Sequence, residues 1–216
     1  MKIGILFDLD GTLLDTLDDL VDSVNHILEQ FHCPLRTKQE VRTFVGNGAR
    51  NLMKKSLPEN HNLDFEQVMQ AYHAYYNVAC VKGVTKPYEG ILSMLETVKK
   101  RYPVAVVSNK PDVATKELCR KYFGSLYARG NSADCPHKPA PDVVYRTMQD
   151  LGVDTCVYVG DSEVDVATAQ NAKVPCLSVL WGFRDRDLLE SMGAKHFCER
   201  VEDIPQLIEQ IIEKEL

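Results

Sequence analysis

Short apolar runs that alternate with helix-period segments restrict the fold of this chain more than any other feature. The runs are Ile3 to Phe7, Val104 to Val107, Cys156 to Val159 and Cys176 to Leu180, with weaker ones near Leu126 and His196. Between them the apolar spacing turns helical over Ile91 to Arg101, Pro111 to Tyr122, Pro141 to Leu151, Val164 to Ala172 and Pro205 to Lys214. Strand alternating with helix predicts a parallel sheet covered on both faces. One segment breaks the pattern, because no convincing strand occurs from Leu17 to about Val84. There Leu17, Leu20, Val21, Val24, Ile27, Leu28 and Phe31 follow helical spacing, and further helical patterns cover Gln39 to Phe44, Ala49 to Leu57 and Phe65 to Ala79. A strand-to-strand crossover needs only one helix of about a dozen residues, so this length is surplus to the sheet. The expected architecture is a Rossmann-like, doubly wound α/β core built from residues 1–14 and 86–216, with a small all-helical cap inserted over residues 15–85.

Composition sets outer limits. With 216 residues and 44% apolar content the chain can bury a substantial core. A formal net charge of -6 and the absence of long Lys/Arg runs argue against nucleic acid and against a membrane surface as partners. The start, MKIGILFDLD, has only one lysine and too short an apolar stretch for a secretory leader, and no later run reaches spanning length. The expected location is therefore the cytoplasm. Seven scattered cysteines show no CxxC pair and no zinc-ligand spacing, and read as buried or incidental thiols.

Ligands of open parallel sheets bind beyond the carboxyl ends of the strands, so the residues that follow each apolar run carry the information. After the first run come Asp8, Asp10, Gly11 and Thr12, and after the second come Ser108, Asn109 and Lys110. The third run is followed by Gly160, Asp161, Ser162 and Asp165, while Lys138 in HKPAPD precedes the helix leading into it. Like charges about 4 Å apart repel by roughly 4 kcal/mol at an effective dielectric near 20, so clustered aspartates must protonate or hold a cation. An oxygen-only donor set points to a hard cation, and Mg2+ suits it best because it keeps waters and substrate phosphate among its ligands. A serine hydroxyl, helix-start N–H groups and a lysine suit a phosphate.

In this order FDLDGT, VVSNK, HKPAPD and VGDSEVD resemble the four motifs of the haloacid dehalogenase superfamily of aspartate-nucleophile phosphatases, and the likeness runs the length of the chain. The resemblance implies that Asp8 attacks phosphorus to form an aspartyl-phosphate. It implies that Asp10 protonates the leaving alcohol and later deprotonates the attacking water, and that Lys138 neutralises charge. It further implies that the side chains of Asp8 and Asp161 and the main-chain carbonyl of Asp10 hold the cation, with Asp165 orienting ligands from behind. Ser108, Asn109 and Thr12 fall to the phosphoryl group. Asp10 also separates the chain from dehalogenases proper, which lack that second acid. Gly11 has two readings, a backbone with positive φ or a direct main-chain contribution, and Asp15 begins the hinge or caps the first cap helix.

The cap loop VGNGARN places Gly46, Asn47 and Gly48 in a tight turn, with Arg50 behind it at a helix start. This resembles the specificity loop of the phosphoglycolate phosphatase branch, where a cap loop reaches the substrate beyond the phosphate. Arg50 either pairs with a substrate carboxylate or is an exposed helix arginine. Trp181 and Arg184 in WGFRDRD line the site or simply form a loop and helix start. The resulting expectation is a Mg2+-dependent phosphatase acting on a small phosphate ester, 2-phosphoglycolate first, as monomer or homodimer. A phosphosugar mutase of β-phosphoglucomutase type or a pyrophosphatase shares the four motifs, and a phosphoaspartate receiver shares the acids, hydroxyl and lysine without the DxDGT pairing or the inserted cap.

Overall fold

The computed structural model describes residues 1–133 and 135–216. The opening run forms β1 (Ile3–Phe7), followed by the two-residue β2 (Leu14–Asp15). Four helices then come in succession, α1 (Leu17–Gln30), α2 (Lys38–Phe44), α3 (Gly48–Ser56) and α4 (Phe65–Lys82), and the chain returns through β3 (Lys86–Pro87). From there strand and helix alternate: α5 (Ile91–Lys99), β4 (Val104–Pro111), α6 (Asp112–Phe123), β5 (Tyr127–Asn131), α7 (Asp142–Leu151) and β6 (Thr155–Gly160). The remainder is α8 (Glu163–Ala172), β7 (Cys176–Val179), α9 (Arg186–Ser191), β8 (His196–Cys198) and α10 (Ile204–Glu215).

Among the described residues the larger sheet has the order β5-β4-β1-β6-β7-β8, with every pairing parallel. Successive strand residues point to opposite faces, and both faces are dry. Ile5 and Phe7 of β1 pack into one apolar cluster with Val157 and Val159 of β6, while Leu6 joins Cys156 and Tyr158 in the cluster on the other face. The doubly wound α/β core expected from the alternation is therefore present. Its connections move outward to one side of β1 through β4 and β5, and to the other side through β6, β7 and β8. The order reverses between β1 and β6, which is where such a sheet opens a crevice.

Helices α1 to α4 bury their apolar stripes against one another rather than against the sheet, in a cluster that includes Val24, Leu28, Met53, Val68 and Tyr72. Phe183 and Ala114 from the sheet side close that cluster. The chain enters and leaves the helical segment through an antiparallel ribbon, Leu14 opposite Pro87 and Asp15 opposite Lys86. Buried Asp19 fastens the same place, accepting from the Val84 N–H at 2.8 Å and the Thr85 N–H at 2.9 Å. The ribbon also corrects one capping expectation: Thr16, not Asp15, occupies the N-cap position of α1, and it makes no side-chain cap bond. No helix among the described residues is long and apolar enough to cross a membrane.

Candidate active site

Parallel pairing of Phe7 with Val159 brings the carboxyl ends of β1 and β6 level, and the Asp8 N–H continues the ladder to the Val159 carbonyl at 2.8 Å. Asp8 and Asp161 consequently flank the crevice at the reversal of strand order. Gly11 takes φ +83°, and a Cβ there would lie 2.4 Å from Asp161 Oδ2, so both its backbone conformation and its lack of a side chain are required. The Thr12 hydroxyl donates to Asp161 Oδ1 at 2.9 Å, and the Phe183 N–H donates to Asp161 Oδ2 at 2.7 Å. Thr12 was expected at the phosphate; its fully buried hydroxyl is instead committed to orienting Asp161.

Lys138 is the electrostatic centre of the cluster. Its side chain is 2% exposed, and its Nζ lies 2.9 Å from Asp8 Oδ1 and 2.7 Å from Asp165 Oδ1. Burial by itself would lower this ammonium's pKa, but Asp165 and Asp8 outweigh it and hold the group firmly protonated. The two carboxylates share it unequally. Asp165 also accepts from the Tyr158 hydroxyl at 3.3 Å, the Ser162 N–H at 3.0 Å and the Ser162 hydroxyl at 2.6 Å, so its negative charge is well met. Asp8 Oδ1, by contrast, is buried and has only the ion pair, outside hydrogen-bond geometry. Burial pushes the Asp8 carboxyl up to about 7, Lys138 opposes that shift, and Asp165 and Asp10 add to it. Asp161 is raised as well, by burial first and then by Asp165 and Asp8.

Carboxylate oxygens of Asp8, Asp161 and Asp165 lie within 4.8 Å of one another, all three buried. Two raised acids that face a third answer the charge crowding anticipated from the sequence, and an all-oxygen set of this kind fits a hard divalent cation. Of the three, Asp8 and Asp161 border the pocket above the cluster, whereas Asp165 lies outside its lining with its oxygens taken by Lys138 and Ser162. Asp165 serves to hold Lys138 in place.

Above this cluster lies a pocket with about 50 Å³ of room for water-sized occupants, bounded on the sheet side by Asp8, Asp10, Ser108 and Asn109 and on the helical side by Gly46, Gly48 and apolar residues such as Leu52. Gly46 and Gly48 have φ +120° and +78°, which forms the tight turn expected of GNG. The turn is docked: Asn109 Nδ2 donates to the Gly46 carbonyl at 3.0 Å and to the Lys138 carbonyl at 2.9 Å, while its Oδ1 accepts from the Lys138 N–H at 2.8 Å. Asn109 thus braces two loops around the pocket. Asn47 and Arg50 face away from it and line a separate surface hollow. The Arg50 side chain is 60% exposed, bonds Glu66 at 2.9 Å and rests on the Phe65 ring, so of its two readings the exposed helix arginine is the one this structure shows, in a surface ion pair within the helices. Arg50→Ala is accordingly expected to change KM for carboxylated and uncharged esters to the same small degree, which steady-state kinetics on a matched pair of esters will read.

Two residues to which sequence reasoning gave no definite role prove central. Lys110 sits beside Asp10, its Nζ 2.9 Å from Oδ1. Arg184 is buried and joins sheet to helices: it pairs with Glu163 at 2.6 Å and donates to the carbonyls of Arg42 at 2.9 Å and Val45 at 2.7 Å, next to the GNG turn. It therefore satisfies carbonyls at the end of α2. No local pattern reveals such a contact, since its partners lie about 140 positions away. Trp181 is likewise outside the pocket, its indole N–H bonded to the Thr12 carbonyl at 3.0 Å.

Comparison with known proteins agrees with this geometry. The family model described as haloacid dehalogenase-like hydrolase matches residues 5–179, and the chain belongs to that family. Within it the chain is a phosphatase. A phosphoglycolate phosphatase of Agrobacterium fabrum is 30% identical, covering 97% of this chain and 94% of the relative. Phosphoglycolate phosphatase 1 of Pseudomonas aeruginosa is also 30% identical, over 83% of this chain and 70% of the relative. A crystal structure from Lactobacillus delbrueckii subsp. bulgaricus, provisionally named a phosphoglycolate phosphatase, superposes with a TM-score of 0.87 at 31% identity and covers 95% of this chain and 97% of that one.

Proposed function

We propose that this phosphatase hydrolyses a small carboxylated phosphate monoester, 2-phosphoglycolate, to glycolate and phosphate, with Mg2+ as its cofactor. The observation that carries the reading is the pairing of a crowded, incompletely partnered Asp8 with a firmly charged Lys138 at the base of a small pocket. An Asp8 oxygen attacks phosphorus, the bond from phosphorus to the leaving oxygen breaks, and Asp10 supplies the proton that makes that oxygen an alcohol. Asp10 then takes a proton from the water that attacks the aspartyl-phosphate, which releases phosphate and restores Asp8. Lys138 remains cationic throughout and offsets the repulsion between Asp8 and the phosphate. Asp8, Asp161 and the main-chain carbonyl of Asp10 would hold Mg2+, which supplies charge neutralisation as a Lewis acid. Asn109 and the GNG turn exclude water from above. Support for the substrate comes from the relatives' names.

Phosphate release from a panel of 2-phosphoglycolate, sugar phosphates, nucleotides and pyrophosphate, with and without Mg2+, tests the reading. Magnesium-dependent turnover with the highest kcat/KM on 2-phosphoglycolate is the expected result. Best turnover of pyrophosphate, conversion of one sugar phosphate into another without free phosphate, or a single phosphate per chain would overturn it in favour of a pyrophosphatase, a mutase or a receiver respectively.

A further inference from the structure

Three acids, Asp8, Asp10 and Asp161, border the pocket on its sheet side, and its helical side is apolar apart from tyrosines. Among the described lining residues one cation occurs, Lys110. Its side chain is 2% exposed, its Nζ touches Asp10 Oδ1 at 2.9 Å, and it donates to the Tyr76 hydroxyl. Tyr76 is fixed from the helical side by stacking on Tyr72, with ring centroids 5.2 Å apart and planes 12° from parallel. Sheet and helices together therefore hold this ammonium in one place. A substrate anion that extends beyond the phosphate faces a choice between the apolar wall of Leu20, Leu52 and Phe183 and this one positive charge. Burying a carboxylate without a partner is prohibitive, so the position of Lys110 decides where such a group can lie.

Chain geometry narrows the match. Asp10, in the role given above, approaches the leaving oxygen at about 2.7 Å, the ordinary length of a hydrogen bond between oxygens. Lys110 is in contact with that same carboxyl. A group carried one carbon away from the leaving oxygen thus falls beside the ammonium, whereas Arg50 bonds Glu66 outside the pocket. We propose that Lys110 is the specificity-determining residue, pairing with a carboxylate attached one carbon from the ester oxygen, an inference that rests on the carboxylated-ester reading above. A lysine suits the task because a compact ammonium with three N–H donors can serve Asp10 and a substrate carboxylate at once.

The test compares 2-phosphoglycolate with 2-hydroxyethyl phosphate, which has the same skeleton and no carboxylate, in the wild-type protein and in Lys110→Met, both loaded with Mg2+. The expected result is a wild-type preference in kcat/KM for the carboxylated ester that shrinks by about 10- to 100-fold in the variant, the range of one lost charge-assisted bond, with Lys110→Arg regaining part of it. A wild-type preference that survives undiminished in Lys110→Met, both esters falling together, overturns the Lys110 assignment alone and leaves it as a partner of Asp10. Equal turnover of the two esters by the wild type overturns the substrate reading and this inference with it. If Lys110→Met does not fold, Tyr76→Phe provides the second measurement: loss of the hydroxyl that fixes the ammonium lowers the preference several-fold, and an unchanged ratio counts against the assignment.

Discussion

Asp8→Asn abolishes phosphate release, by about 10⁴-fold or more as for other covalent nucleophiles, and at pH 8 in a chelator the variant melts at a higher temperature than the wild type. The first half follows from the chemistry, since an amide oxygen cannot form the aspartyl-phosphate. The second half follows from the site. Asp8 is raised from 3.8 to about 7, so its ionised form is the one that burial and the neighbouring Asp165 and Asp10 disfavour. Asparagine has the same shape and removes that charge, while Lys138 keeps Asp165 at 2.7 Å as its counterion. A shift of this size corresponds to a few kcal/mol at one pKa unit per about 1.4 kcal/mol, which is what the substitution relieves. A phosphate-release assay and a thermal melt on the same sample decide it. Retained turnover would remove Asp8 as nucleophile, and a lower melting temperature would mean that the Asp8–Lys138 pair stabilises the fold. A nucleophile held ready at the expense of stability is a common arrangement in active sites.

How legible this site was depends on the distance over which each residue acts. The strands that build it, β1, β4, β6 and β7, show as apolar runs because a buried parallel strand needs no polar position, and their C-terminal residues then name Asp8, Asp10, Ser108 and Asp161 directly. The helices α1 to α4 show through their spacing; the first three start and end within a residue of the expected limits, and α4 starts where expected but runs on to Lys82. Pairings between distant segments do not show. The ribbon of Leu14–Asp15 with Lys86–Pro87 is only two residues long on each side, below any periodic signal. Thr12 presents a hydroxyl in the phosphate motif, yet which partner it takes depends on Asp161, 149 positions away. Arg50 carries the right charge in the right loop, and only the three-dimensional helix packing reveals that Glu66 has claimed it. Lys110 is the converse case: VVSNK names it, but its meaning comes from Asp10 and Tyr76, which fold onto it from β1's loop and from α4.

Removing divalent ions from the wild type is expected to stop turnover and to lower its melting temperature, with the loss in stability growing as pH rises from 5 to 8. The direction follows from Asp8. With a folded pKa of about 7 against 3.8, the native protein binds more protons than the unfolded chain between those values. Stability from this group is therefore fully present at acidic pH and is lost as pH rises towards 7. Asp161, raised by the same burial, acts in the same sense. Added Mg2+ reverses the trend, since the ion then takes the place of the protons. At about one hundred times its dissociation constant a ligand adds about 2.7 kcal/mol, or roughly 5 to 10 °C for a chain of this size. Below about pH 7 the ion must displace the Asp8 proton, so the same concentration stabilises less as the pH falls. The decisive measurement is the difference in melting temperature between wild type and Asp8→Asn across pH, with chelator and with Mg2+, in which titrations elsewhere cancel. With chelator the variant's advantage should widen from pH 5 to 8, and Mg2+ should narrow it by stabilising the wild type more. A difference that stays flat with pH, or Mg2+ that stabilises both proteins equally, would show that Asp8 neither carries the crowded charge nor binds the ion.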